Sequence, residues 1–242
     1  MSEASTMDGL TILDETTCNA ELLAELRAHV LKPSFPVDEY MNDDDDPHEG
    51  PLLVACGPDG SVVGGALGEY YDDSTALLGY IAVRPGCRGR GIGQRLMAAI
   101  TSTWTEDGRR WFIEIDDPRH HGSHAVYGDP RSRVAFYRRF GVVAIPIPYF
   151  QPRLAPGLNR GAHMLLGIVP PGSGEAPKTL PGAEVAAFLK HYFMVCEGSS
   201  VSVDPDVKWL LGWCRSGEVP MIALDPDHLA GIPDDEPPSA HG

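Results

Sequence analysis

The chain of 242 residues carries 34 acidic side chains against 19 Lys and Arg, a net charge of -15 with histidine neutral. So acidic a chain lacks the broad basic footprint that nucleic-acid binding needs, and with hydrophobic residues at 43% it can bury a sizeable core rather than stay disordered. The five scattered cysteines form no CxxC pair, the opening MSEASTMDGL lacks the basic start and apolar core of a leader, and no apolar run reaches membrane-span length.

These features predict a cytoplasmic protein with reduced thiols and neither a nucleic-acid nor a membrane partner. In chain order, Thr11–Asp14 reads as a short strand. Leu22, Leu23, Leu26 and Val30 then recur at helical spacing behind Thr17 and Asn19, which can cap, and Pro33 and Pro36 end that helix. "PSFPVDEYM" is a kinked connection, and Asp43–Asp46 a solvated acidic loop. Leu52–Cys56 and Ser61–Tyr71 read as strands joined through the turn residues Asp59-Gly60, with Ala76–Val83 a third strand.

From Gly91 to about Trp104 an apolar stripe at period 3.6 (Ile92, Leu96, Met97, Ile100) predicts a helix. Trp111–Asp116 is a strand with Phe112, Glu114 and Asp116 on one face and Trp111, Ile113 and Ile115 on the other. After the polar loop "DPRHHGSHAVYGDPRS", Arg133–Phe140 is a short helix stopped by Gly141. Val142–Ile147 and His163–Val169 close the sheet across the proline-rich arm "PYFQPRLAPGLNRGA". Beyond Pro170 a linker-like stretch leads to two amphipathic helices, the second opened by Asp204-Pro205. The expected division is a core over residues 1–169, a linker and helical extension over 170–231, and a disordered tail over 232–242.

One stretch carries the chemistry. "VRPGCRGRGIGQRL", Val83 to Leu96, sets a glycine-arginine loop between a strand and a helix. Backbone N–H groups at a helix N-terminus point outward and attract anions. Gly89, Gly91 and Gly93 allow close approach and positive φ, and Arg88 and Arg90 add charge-assisted donors. A phosphate or pyrophosphate ligand follows. A Walker loop does not, because Gln94 and Arg95 follow Gly93 where Lys and Ser or Thr are required; the alternating glycines also miss the G-x-G-x-x-G spacing.

"YIAVRPGCRGRGIGQRLM" resembles the acyl-CoA-binding motif of the GNAT (Gcn5-related) N-acetyltransferases, (Arg/Gln)-x-x-Gly-x-(Gly/Ala), with Arg88, Gly91 and Gly93 at its defining positions. "RVAFYRRFG" resembles a second motif of that family, and the likeness spans most of residues 10–169. The resemblance implies an α/β (α+β) fold: a mixed, mostly antiparallel sheet of about six to seven strands, splayed at the acyl-CoA slot, flanked by helices and followed here by the helical extension. It implies an acetyl-CoA-dependent N-acetyltransferase that moves an acetyl group to a primary amine by direct attack, with acetyl-CoA as co-substrate and no metal.

The resemblance also implies residue roles. The amides from Arg88 through Gly89, Arg90, Gly91 and Ile92 to Gly93 hold the pyrophosphate, and the backbone of Ile81 and Val83 pairs with the pantetheine amides. Tyr137 protonates the leaving thiolate, and Arg138 or Arg139 reaches the nucleotide phosphates. For the base, the strand "TALLGYIAV" holds no acid where some relatives carry a glutamate. Glu114 is the choice, with Glu69 or bulk water as the other routes. Phe35, Asp38, Glu39 and Tyr40 are candidates to select a cationic amine, and the acceptor is a small molecule or a peptide. His120, His121 and His124 lack a defined ligand set. A homodimer is a further candidate partner, and a non-catalytic acyl-CoA sensor or scaffold and an acyltransferase for longer chains are the competing readings.

Overall fold

The computed structural model describes residues 9–41, 48–172, 174–214 and 217–241; the acidic run Asp43–Asp46 lies outside them. Along the first two thirds of the chain, apolar stretches broken by Gly, Asp and Pro fold as strands β1 (Thr11–Asp14), β2 (Leu52–Cys56), β3 (Val62–Tyr70), β4 (Thr75–Val83), β5 (Arg110–Asp116), β6 (Val143–Ala144), β7 (Tyr149–Gln151) and β8 (Gly161–Val169). Helices α1 (Ala20–Leu26), α2 (Ile92–Thr103) and α3 (Pro130–Arg138) lie between them. The remainder folds as β9 (Thr179–Pro181), α4 (Gly182–Glu197), α5 (Pro205–Trp213), β10 (Glu218–Pro220), β11 (Ile222–Ala223) and α6 (Pro226–Leu229).

The main sheet runs β1-β2-β3-β4-β5-β8-β6-β11, with β7 also paired to β8. Every pairing in it is antiparallel except β4 with β5. It has nine strands rather than six or seven. The extra ones, β7 and β11, span only three and two residues, too few for an alternating pattern to register in sequence, and the expected strand Val142–Ile147 shortens to β6. β7 lies inside the proline-rich arm, and β11 comes from the extension and pairs with β6. The extension is therefore built into the sheet.

Cap chemistry sets the helix ends. The Asn19 side chain accepts from the Leu22 amide at the start of α1, and Asp204 accepts from the amides of Asp206 and Val207 at the start of α5. After α1 the chain continues as one π-turn, Arg27–Leu31, before the prolines stop it. Gly141 follows α3 at φ 73°.

Each face of the sheet has its own core. On one, Leu78, Trp111, Ile113 and Ile115 pack against Leu96, Met97 and Ile100 of α2 and Val134 and Tyr137 of α3. On the other, Leu26, Val30 and Leu31 cover β2–β4, and α4 and α5 cover β5 and β8. There Phe112 and Phe188 stack with centroids 3.8 Å apart and planes at 2°. Both rings are fully buried, each contributing roughly 1.5–3 kcal/mol of transfer free energy. The tail expected to be disordered is also tied down. Ile232 is buried, and Ser239 donates to Asp206 from its amide at 3.0 Å and its hydroxyl at 2.5 Å.

Candidate active site

The register of β4 on β5 makes the opening. The two strands pair from Thr75↔Arg110 to Leu78↔Ile113 and no further, although β4 continues to Val83 and β5 to Asp116. A bulge sits at the parting point: Leu67 opposes Tyr80 and Gly68 opposes Leu78, leaving Gly79 unmatched. Such an extra residue bends its strand and increases local twist, which turns β4 away from β5. The gap is a cleft of about 500 Å³.

At one end of the cleft lies the glycine-arginine loop. Gly86, Gly89 and Gly91 have φ of 87°, 80° and 78°, the left-handed region that side chains rarely adopt. Gly91 opens α2, no side chain caps the helix, and its first turn holds no acid. The first intrahelical bond there runs from the Arg95 amide to the Gly91 carbonyl. The amides of Ile92, Gly93 and Gln94 are thus left for an anion in the cleft.

Ile81, Val83, Arg88, Gly89, Gly91, Ile92 and Gly93 all border the cleft, whereas Arg90 is exposed and does not. The Arg88 guanidinium is spent within the protein. It donates to the Val126 carbonyl at 2.9 Å, to Ser34 Oγ at 3.4 Å and to the Val83 carbonyl at 3.4 Å. It braces the loop rather than offering a free cation. Arg138 pairs with Asp225 at 2.8 Å, so Arg139, which borders the cleft, is the helix arginine on the ligand side.

At the other end stand Tyr137 and Glu114. Tyr137 is 6% exposed and borders the cleft, and its hydroxyl has no hydrogen-bond partner among the described residues. Burial pushes its pKa up to about 12, so the phenol stays protonated at neutral pH. Glu114 lies one residue past the last β4–β5 pair. Its carboxylate accepts from the hydroxyl of Tyr149, from Gln151 Nε2 at 2.7 Å and from the hydroxyl of Tyr192 at 3.0 Å. Burial pushes its pKa up to about 7; the three donors pull it down and the charge of Glu69 adds to the rise. A carboxyl poised near neutrality suits proton abstraction.

Asp116, on the same strand face in the sequence reading, is instead paired with Arg133 at 2.7 Å. Glu69 binds the Tyr71 hydroxyl at 2.8 Å. A side pocket of about 220 Å³ adjoins the cleft and is bordered by Phe35, Glu39, Asp116 and His121. Burial, and then the charge of Asp116, push Glu39 up to about 7. Asp38 is held by Asn159, and Tyr40 packs edge-on to Tyr80. Away from the cleft, His120, His163 and Asp234 gather with their ligand atoms within 4.8 Å of one another, two of the three being distant in sequence from the histidine loop.

Sequence reasoning missed the partners of Glu114. Tyr149 and Gln151 alternate along β7, a period-2 hint hidden among prolines. Tyr192 lies on α4, outside the region covered by the resemblance, and only its helical apolar spacing was visible.

The sheet is parted between two parallel strands, and the gap is bordered by an uncapped helix start, by Tyr137 and by Glu114. Residues 20–129 match the family model described as the acetyltransferase (GNAT) family, and that match supports an N-acetyltransferase. The chain is 29% identical over 141 residues to an aminoglycoside N(6')-acetyltransferase type 1 from Stenotrophomonas maltophilia, covering 53% of this chain and 92% of that protein. Among solved structures it is similar to Ard1 from Thermoplasma volcanium (21% identity, 66% of this chain and 98% of that one, TM-score 0.45). Another is an acetyltransferase from Streptococcus agalactiae (17% identity, 66% and 98%, TM-score 0.46).

Proposed function

We propose that the chain transfers the acetyl group of acetyl-CoA to a primary amine of a small molecule within a ternary complex. The observation that carries this reading is the cleft itself, which has the order of chemical needs of an acyl-CoA along its length. The uncapped start of α2, with Arg139 nearby, meets the negative phosphates. The free edge of β4 at Ile81 and Val83 meets the amides of the pantetheine arm, as an added strand would. Tyr137 and Glu114 meet the thioester.

In the reaction the amine nitrogen gives up a proton and attacks the thioester carbonyl carbon. The carbon–sulfur bond breaks, and the thiolate leaves. Glu114 takes the amine proton, since a carboxyl with a pKa of about 7 is half ionised at neutral pH. Tyr137 gives the thiolate its proton; its hydroxyl is protonated and unengaged. Amine, amide and thiol then balance without any further co-reactant.

The test follows thiol release from acetyl-CoA against a panel of amines. Amine-dependent release by the unaltered protein is expected, and Gly91→Glu, which puts a carboxylate and a Cβ at φ 78° on the anion site, abolishes donor binding in calorimetry. Donor binding without release on any amine would overturn the reading and leave a binding protein.

A further inference from the structure

Outside the cleft, three chain segments converge on one group of metal-ligating side chains. His120 comes from the loop after β5, His163 from β8 and Asp234 from the C-terminal segment, and one ligand atom of each lies within 4.8 Å of the other two. His120 and His163 stack with ring centroids 4.2 Å apart and planes at 10°. His120 Nε2 meets Asp234 Oδ1 at 2.6 Å, and the ring nitrogens of His163 make no hydrogen bond among the described residues. The three residues border a pocket of about 140 Å³, together with Asp235 and Glu236.

The backbone is bent to place His163. Gln151 opposes Gly161 and Tyr149 opposes Met164, so Phe150 on β7 faces both Ala162 and His163 on β8. Such a bulge re-aims a side chain. His163 has φ 54°, and every other residue of positive φ among the described residues is glycine. A larger side chain is strained there, and such strain gathers at functional sites. The His163 carbonyl is held from two sides, by the Asp117 amide at 3.1 Å and by His121 Nε2 at 3.1 Å. A carbonyl only accepts, so Nε2 of His121 carries its proton and serves to position its neighbour. On the C-terminal side, Ile232 is buried and its carbonyl accepts from Arg119 at 2.9 Å, which fixes the chain two residues before Asp234. The Arg119 charge is matched by Asp117 at 2.6 Å.

We propose that His120, His163 and Asp234 bind one divalent cation of the zinc type, which fastens the C-terminal segment to β8 and to the loop after β5. Two imidazole nitrogens and a carboxylate oxygen are a zinc donor set, whereas magnesium and calcium take oxygen ligands in larger number. Ligand atoms at zinc distances in a tetrahedron stand roughly 3.3–3.6 Å apart. Closing the group therefore takes a shift of about one ångström, and His120 and Asp234 are exposed and free to make it. The His120–Asp234 contact is exchanged for a bond from each residue to the metal, and the fourth position falls to water. Because the three ligands come from segments far apart in sequence, the cation binds the folded chain in preference to the unfolded one and stabilises it. The site is separate from the cleft, so the inference is independent of the acetyl-transfer reading.

The test uses the full chain without a polyhistidine tag, with zinc chloride as the probe. Calorimetry is expected to show one site per chain, and zinc at about 100 times Kd to raise Tm by about 5–10 °C. His163→Asn keeps a residue that tolerates positive φ and should weaken zinc binding about 100-fold or more. Asp234→Asn, at an exposed position where the fold is not at stake, should weaken it about tenfold or more. His228→Ala, at an exposed histidine outside the group, should leave it within about twofold. Absence of zinc binding by the unaltered protein, affinity unchanged in either His163→Asn or Asp234→Asn, an equal loss in His228→Ala, or equally tight binding of magnesium would each overturn the site.

Discussion

Tyr192→Phe removes one hydroxyl from the C-terminal extension, and its consequence is read at the opposite end of the chain's functional unit. The hydroxyl donates to Glu114 Oε2 at 3.0 Å in a buried setting, Tyr192 being 2% exposed. A hydrogen bond to a charged group contributes about 1.5–3 kcal/mol, and one pH unit corresponds to about 1.36 kcal/mol. Since the donor stabilises the ionised carboxylate, its loss raises the Glu114 pKa. Two other donors remain, Tyr149 and Gln151, so the lower end of the range applies and the rise is about one unit. From about 7, the ionised fraction at pH 7 falls from roughly half to roughly a tenth, a loss of about fivefold in rate. The ring stays in its cluster with Tyr71 and Phe188, so the fold is retained. The assay is the pH profile of kcat/KM for one fixed amine. The acid limb should move up by about one unit and the two proteins converge above pH 9. An unmoved acid limb, or a loss uniform across pH, would refute Glu114 as the titrating base or Tyr192 as its positioning residue.

Tyr137→Phe keeps the buried ring and deletes a hydroxyl that has no partner among the described residues. Turnover should fall about 10²-fold with acetyl-CoA affinity unchanged in calorimetry, and full turnover would remove the phenol from the mechanism. Arg160, 12% exposed at its side chain, joins the proline-rich arm to α4 and α5 by bonds of 2.6 Å to Glu197, 2.9 Å to Asp204 and 3.4 Å to Asp206. Arg160→Met strands these carboxylates and should cost about 3 kcal/mol in urea unfolding at pH 7. Burial alone would raise the pKa values of Glu197 and Asp204; Arg160, together with Arg153 at Glu197 and the amides of Asp206 and Val207 at Asp204, outweighs it and lowers both. The stability tied to that lowering is therefore present above the ordinary carboxylate range and lost as pH falls through it. The gap between the two proteins should close toward pH 3, and a gap that persists there would show that packing rather than charge holds the arm.

The glycine-arginine loop was legible in the sequence as a candidate anion-binding site. Glycines at positive φ, a helix start without a cap and an arginine-rich loop are local matters, written within a dozen neighbouring residues. The long strands and helices were legible for the same reason, their periodicity being a property of short windows. The short strands β7 and β11 were not, because pairing with β8 and with β6 makes them strands rather than their own pattern. Tertiary structure alone decided the surroundings of Glu114. Glu114 stood out as a carboxylate on a strand, but its pKa depends on Tyr149, Gln151 and Tyr192, which lie 35, 37 and 78 residues away. Likewise, only the bulge at Gly79 and the parting of β4 from β5 bring Glu69 and Glu114 to one cavity. Burial and proximity in three dimensions set a proton's affinity, which has no signature in linear spacing.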